Sequence, residues 1–359
     1  MNTTFVDDYI LSNTELERIN TPRPSKYFVK SKKWDNLSSI LLNKIGLNNN
    51  YKVGVDTCAT NIIHNLFQRY MVLKDTIIIT TNSEHSSVMQ QFNDGKYEGT
   101  RDNIHYGITS FISDAYKVHI FDIDNVETIN NIKNNIENSK LILLYTKGCN
   151  SQTGKIYSDE YLKNIKKCII DINPTVQVMH CIDDVQSLFL IKRDYTNYNY
   201  IISTAHAIIS NYDTGLIIYN DNNNDFGYQI LPFIEEYIKK WSIIENIVDN
   251  TKYIKSEVIN KIMPYLPEGS VLNQENEGYN SNIINIEIPK KYYTPSLQKI
   301  KNKMLSDYRI KLEGYGFDHE LAEKIYIRVR ITEMLCNKVN IHETIANLIK
   351  ILRFFSYNI

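Results

Sequence analysis

The chain has 359 residues, 43% of them hydrophobic, which is enough for two domains sharing a core. Its 40 Lys and Arg against 41 Asp and Glu leave a formal charge of -1, which excludes the footprint of a nucleic-acid or anionic-membrane binder and leaves a small molecule or a second copy as the expected partner. The opening MNTTFVDDYILSNTELERIN has no basic stretch with an apolar run behind it, no segment approaches a membrane span, and five scattered cysteines (Cys58, Cys149, Cys168, Cys181, Cys336) make no CxxC pair, so a reduced cytoplasmic protein with no metal site is expected.

From Lys52 onward, short apolar runs alternate with helical patterns, the signature of an α/β layer architecture. VGVDT (Val53 to Thr57) predicts a strand and Thr60 to Met71 a helix. TIIITT (Thr76 to Thr81) predicts a strand rich in β-branched residues, followed by a helix from Glu84. The strands continue with KVHIFDI (Lys117 to Ile123), LILLYT (Leu141 to Thr146), VQVMHCI (Val176 to Ile182) and YIISTA (Tyr200 to Ala205). Helices at about Val126 to Glu137 and Ser158 to Ile170 separate them. Runs apolar on both faces belong to strands buried on both sides, so a mainly parallel, helix-covered sheet is expected.

GLIIYN (Gly215 to Asn220) adds one more strand, and the polar Asn220 to Asp225 a surface loop. Phe233 to Met263 has a helical pattern. A small α+β unit follows, with strands at Asn282 to Ile288, Arg309 to Gly314 and Ile325 to Ile331, a helix near Leu297 to Ser306 and a last helix from Asn340.

The strongest chemical signal is Asp183, three residues before Gln186, at the end of VQVMHCI. Ligands of α/β proteins bind beyond the carboxyl ends of the strands. A carboxylate there can keep a pyridine nitrogen protonated and so make a pyridoxal ring an electron sink. Alone, DDVQ is an ordinary turn cap. It is followed, however, by a strand ending in Ser203, Thr204, Ala205, His206 and Ala207, and then by Gly215 opening the next strand.

In these residues the chain resembles the class V aminotransferase and cysteine desulfurase-like family of fold type I pyridoxal phosphate (PLP) enzymes. The family pattern is Asp-x-x-Gln, then Ser-x-His-Lys, then a glycine strand. Asp183, Gln186 and His206 match it, Thr204 replaces the serine with another hydroxyl, and Ala207 falls on the Schiff-base lysine. The resemblance implies a large domain with a mainly parallel seven-stranded sheet over residues 51–250, a small C-terminal α+β domain over 251–359, and an N-terminal segment, 1–50, that joins the small domain or forms a dimer arm.

Other segments follow in the family's order. CATNIIHNLF resembles the helix start that receives the cofactor phosphate, with Ala59, Thr60 and Asn61 as candidates; free N–H groups and the helix dipole favour an anion there. SEHSSVMQQF resembles the segment whose histidine, here His85, lies against the ring and helps move protons. CNSQTGKIY places Ser151 and Asn150 near the ring hydroxyl or the substrate, with Gln186 a second candidate for the hydroxyl. IYIRVRITEMLCNKVN puts Arg330 where a guanidinium takes the substrate α-carboxylate through paired hydrogen bonds, with Arg328 as its competitor.

The resemblance thus implies an aminotransferase or lyase acting on an amino acid through an external aldimine, in a homodimer. Alanine at 207 can neither bond the cofactor nor shuttle a proton. Three explanations compete: a Lys→Ala variant that traps an adduct, a natural lysine-less member that binds PLP or another ligand as a non-catalytic binding or scaffold protein, and an enzyme using another base, for which Lys147 and His85 are the candidates. The loop through which a partner subunit touches the phosphate has no clear counterpart, Gly269 and Ser270 being a faint one. LEGYGFDHE (Leu312 to Glu320) lacks the cysteine of a desulfurase, and no GxGxxG follows the first strand to suggest a dinucleotide site.

Overall fold

The structure, a computed structural model, describes residues 32–56, 58–85, 88, 117–150, 154–188, 190–204, 215–220, 253–272, 283–292, 324–330 and 338–357. They fall into two compact units. The first holds the described residues up to Gly148 and those of 159–220; the second holds 149–158 and everything described from 253 onward.

After helix α1 (Lys32–Lys44), the first unit is a seven-stranded sheet. Its strands are β1 (Lys52–Asp56), β2 (Thr76–Thr81), β3 (Val118–Phe121), β4 (Leu141–Lys147), β5 (Gln177–Asp183), β6 (Tyr200–Thr204) and β7 (Gly215–Tyr219). The order is β1-β7-β6-β5-β4-β2-β3, and β7 alone runs against its neighbours. Every residue of β2, β6 and β7 is buried, as continuous Ile, Leu and Thr runs require when helices cover a sheet.

Helix α2 (Ala59–Met71) packs over β2, β6 and β7 through Ile62, Ile63, Leu66, Phe67 and Tyr70, an apolar stripe at helical spacing. Phe67 meets the Tyr145 ring edge-on at 5.1 Å, and the Tyr70 and Tyr200 hydroxyls share a 2.9 Å hydrogen bond. The helix expected from Val126 to Glu137 is instead a 3-10 turn, Val126–Ile132, running into a short α3 (Lys133–Glu137). The Thr128 hydroxyl explains the tightening: it donates to the Asn125 carbonyl at 2.7 Å and accepts from the Asp122 N–H at 2.9 Å, a local alternative to the α-helical ladder. Helix α4 (Asp159–Ile172) buries Leu162, Ile165 and Ile169. Glu84 and His85 are not helical; Val88 is, and the rest of the helix expected from Glu84 lies outside the described residues.

The second unit contains the antiparallel sheet β10-β9-β8, formed by β8 (Val271–Leu272), β9 (Ile283–Pro289) and β10 (Lys324–Arg330). Helix α5 (253–262) and α6 (Lys338–Tyr357) supply its core. Ile341, Ile345, Leu348, Leu352 and Phe355 form one stripe of α6 and cluster with Ile254, Val258, Ile284, Ile286 and Ile327. β8 lies outside the strands expected from the sequence. The expected strand Arg309 to Gly314 and the helix near Leu297 lie outside the described residues, as do positions 233–252 of the predicted helix.

Candidate active site

The site is built by strand alternation. Alternate residues of a strand share a face. Leu143 and Tyr145 of β4, Cys181 of β5, Tyr200 and Ile202 of β6, and Ile217 of β7 all pack with α2. Two residues beyond Tyr145, Cys181 and Ile202, on that same face, stand Lys147, Asp183 and Thr204; Gly215 is two residues before Ile217 on the opposed β7. Lys147 is the register partner of Asp183, and Thr204 of Gly215. One row therefore runs along the carboxyl edge of β4, β5 and β6 to the first residue of β7.

The start of α2 meets the end of this row. A Cβ on Gly215 would lie 2.5 Å from the Cys58 carbonyl carbon and 2.6 Å from the Ala59 nitrogen, so only glycine lets β7 approach so closely. Cys58 is the extended cap residue and gives no side-chain hydrogen bond to the helix, whose first turn carries no acid. Ala59, Thr60 and Asn61 are half-buried there. Leading N–H groups with no side-chain cap at a helix start favour an anion.

Asp183 is half-buried and tightly held. Its Oδ2 accepts from the Tyr145 hydroxyl at 2.7 Å, its Oδ1 accepts from the Val185 N–H at 3.1 Å, and its carbonyl accepts from the Gly148 N–H at 2.8 Å. Burial raises its carboxyl above the ordinary value, while Tyr145, Val185 and the Lys147 charge act in the opposite direction. Glu84, only 4% exposed, accepts a hydrogen bond from Thr81. Burial pushes its carboxyl up to about 7 against the opposing pull of Lys147 and Thr81, with the Asp183 charge adding to the rise. Lys147 is also 4% exposed, and its Nζ has no hydrogen-bond partner among the described residues. Two acids and one amine thus share a poorly solvated edge, an arrangement suited to moving protons.

Asp184, the next residue, has a different task. It is fully buried and accepts from Ser187 and Tyr195, and Arg193 Nε lies 3.4 Å from its Oδ1. Arg193 also donates to the Gly148 carbonyl at 2.5 Å and to Asp159 at 3.1 Å. A Cβ on Gly148 would fall 2.2 Å from Asp184 Oδ1, so glycine is required where β4 ends. This lock fixes the backbone that carries Lys147 and Asp183.

Of the residues expected from the sequence, Ala59, Thr60, Asn61, Asp183 and Thr204 share this edge. Gln186 is buried in the turn after Asp184, and His85 is exposed just past Glu84. Asn150 belongs to the second unit, where its N–H donates to the Lys155 carbonyl at 2.8 Å and its carbonyl accepts from Gly154 at 2.9 Å. Arg328 and Arg330, also in the second unit, pair through the backbone with Asn285 and Ile283; their side chains lie outside the described residues. Ser151, His206, Ala207 and Cys336 lie outside them altogether. Sequence reasoning missed Tyr145 and Glu84. A tyrosine inside LILLYT has the pattern of core, and only its register against Cys181 and Asp183 reveals the contact.

Among the described residues, no group of three or more His, Cys, Asp or Glu is placed to hold a metal, and no helix is long and apolar enough to cross a membrane. No protein-family model matches the chain, and no curated protein matches it. Similar solved structures include a NifS-like protein from Rickettsia africae, 14% identical, covering 94% of each chain with a TM-score of 0.65. Another is a lysine-to-alanine variant of serine palmitoyltransferase from S. paucimobilis with a bound PLP-myriocin aldimine, 11% identical, covering 91% of this chain and 78% of that one, TM-score 0.61. A third is ureidoglycine-glyoxylate aminotransferase from Bacillus subtilis, 12% identical, covering 96% and 91%, TM-score 0.59. The seven-stranded order with its single reversed strand, together with these likenesses, identifies the fold as that of the fold type I PLP-dependent transferases.

Proposed function

We propose that the carboxyl edge beneath α2 holds PLP and that the protein acts on an amino acid, as an aminotransferase or lyase with its usual lysine position occupied by Ala207. The observation that carries this reading is Asp183, anchored by Tyr145 and Val185 at the end of β5. The residues present suit the cofactor. The start of α2, with no side-chain cap and closely abutted by Gly215, suits the phosphate through Ala59, Thr60 and Asn61. Asp183 suits a pyridine nitrogen and would keep a proton there. Thr204 shares its face, and the resemblance adds His206, with His85 against the ring and Gln186 or Ser151 at the ring hydroxyl. For the substrate, the resemblance assigns Arg330 to the α-carboxylate and offers Asn150 as a further contact. When bound, PLP supplies an electron sink for a substrate Cα that loses a proton.

Homodimerisation rests on the resemblance, and five scattered cysteines with no CxxC pair support a reducing, cytoplasmic setting. Ala207 itself favours a second reading, a lysine-less protein that binds PLP without turnover; the serine palmitoyltransferase variant, described with a PLP adduct, supports ligand retention in this fold after such a change.

The test is to add PLP to the full chain and to an Ala207→Lys form, separate free cofactor by gel filtration, and read retained absorbance and amino-acid turnover. Retention by both and turnover in the restored form supports the enzyme reading. Retention without turnover in either form supports the binding protein. No retention by either form sinks the PLP site.

A further inference from the structure

The Lys147 amine has no partner in the described structure, and the site as assigned above gives it no task. Lysine stems ordinarily carry their ammonium out to water, and buried polar groups are nearly always hydrogen-bonded. Lys147 does neither: it is 4% exposed, with Nζ unpartnered among the described residues. Nor is its placement loose. The residue after it is locked by the Arg193 hydrogen bond to the Gly148 carbonyl, by the Gly148 N–H donated to Asp183, and by the Asp184 carboxylate that fills the space of a Gly148 side chain. Lys147 lies beside Asp183 in register, on the α2 face, and its charge reaches both Asp183 and Glu84.

We propose that Lys147 is the amine with which this chain condenses with an aldehyde at the site, taking over from β4 the task that the resemblance assigns to the position of Ala207. This rests on the PLP reading of the site, the aldehyde being that of PLP. The Lys147 ammonium first gives one proton to the Glu84 carboxylate; Nζ then adds to the aldehyde carbon, and one N–H proton passes to the former carbonyl oxygen. Glu84, the acid that the Lys147 charge reaches, then gives a second proton to that hydroxyl as the C–O bond breaks and water departs. The C=N bond forms, and the remaining N–H proton returns to Glu84. One amine and one aldehyde thus give one imine and one water, with nothing oxidised or reduced.

The experiment reads mass rather than turnover. The full chain is incubated with PLP, reduced with borohydride to fix any C=N bond, passed through gel filtration, digested and mapped by mass spectrometry. Lys147→Arg, which keeps the charge, and Lys147→Met, which keeps the unbranched stem, are treated alike, with circular dichroism confirming the fold of each. The expected result is a reduced pyridoxyl adduct on the Lys147 peptide, absent from both variants. PLP retained but released intact on denaturation after reduction, or fixed to another lysine, overturns this role while leaving the PLP site standing. No retained PLP and no adduct overturns both.

Discussion

Replacing Glu84 with Gln isolates the cost of one buried acid. An amide oxygen can still accept from Thr81, but no ionisation remains. The folded carboxyl titrates at about 7, against 4.5 for the unperturbed side chain. A carboxyl raised in the folded state binds a proton that the unfolded chain has already lost, so stability is fully present below about pH 4.5 and falls as pH rises toward about 7. At about 1.4 kcal/mol per unit, the loss is about 3 kcal/mol. Urea unfolding of wild type and Glu84→Gln at intervals from about pH 4.5 to about pH 8 cancels the other titrating groups in the difference. The variant should gain about 3 kcal/mol on wild type across that window, most of it before about pH 7. A difference that stays flat, or that favours wild type as pH rises, refutes the claim that Glu84 is buried without adequate compensation.

Gly215→Ala places a Cβ roughly 1 Å inside ordinary carbon contact with the start of α2; urea unfolding should show a loss of about 1–3 kcal/mol, and a fluorescence titration should show weakened PLP retention. Arg193→Met leaves Asp184 buried without its cation, and chemical denaturation should register a loss of about 3–5 kcal/mol. Tyr145→Phe removes the hydroxyl donated to Asp183, so the Asp183 carboxyl should titrate still higher by carbon-13 NMR and stability at neutral pH should fall by roughly 1.5–3 kcal/mol.

Strand positions were legible because continuous β-branched and aliphatic runs have few alternatives. TIIITT occupies its expected residues, and VQVMHCI shifts by a single position, bringing Asp183 into the strand as its last residue. What periodicity does not encode is register. Lys147, one residue past the expected strand Leu141 to Thr146, is the last residue of β4 and the partner of Asp183, a relation visible only once the two strands are paired. Tyr145 was hidden for the same reason. The break from 3-10 to α near Ile132 depends on a single threonine hydroxyl, a local competition that an apolar pattern cannot show. The two acids of DDVQ stood out as candidates, yet the sequence was silent on their division of labour. Strand alternation turns Asp183 toward the α2 face, whereas Asp184, just past the strand, is held by Arg193 and Tyr195.

That division bears on whether the site is in use. Folded domains have only about 5–15 kcal/mol of net stability, and this edge spends part of it on a carboxyl that titrates at about 7 and on an interior amine with no hydrogen-bond partner among the described residues. An apolar pair of similar volume would remove both costs. A bare scaffold has no need of either group, because the mechanical work of holding the end of β4 is already done by Asp184, Arg193 and the absent side chain of Gly148. Costs of this kind are offset when a ligand brings an acceptor or a carbonyl to the amine and an opposing charge to the acids. The locked backbone on one side and the unpartnered amine on the other therefore favour a ligand-holding site at the ends of β4 and β5 over an inherited shell.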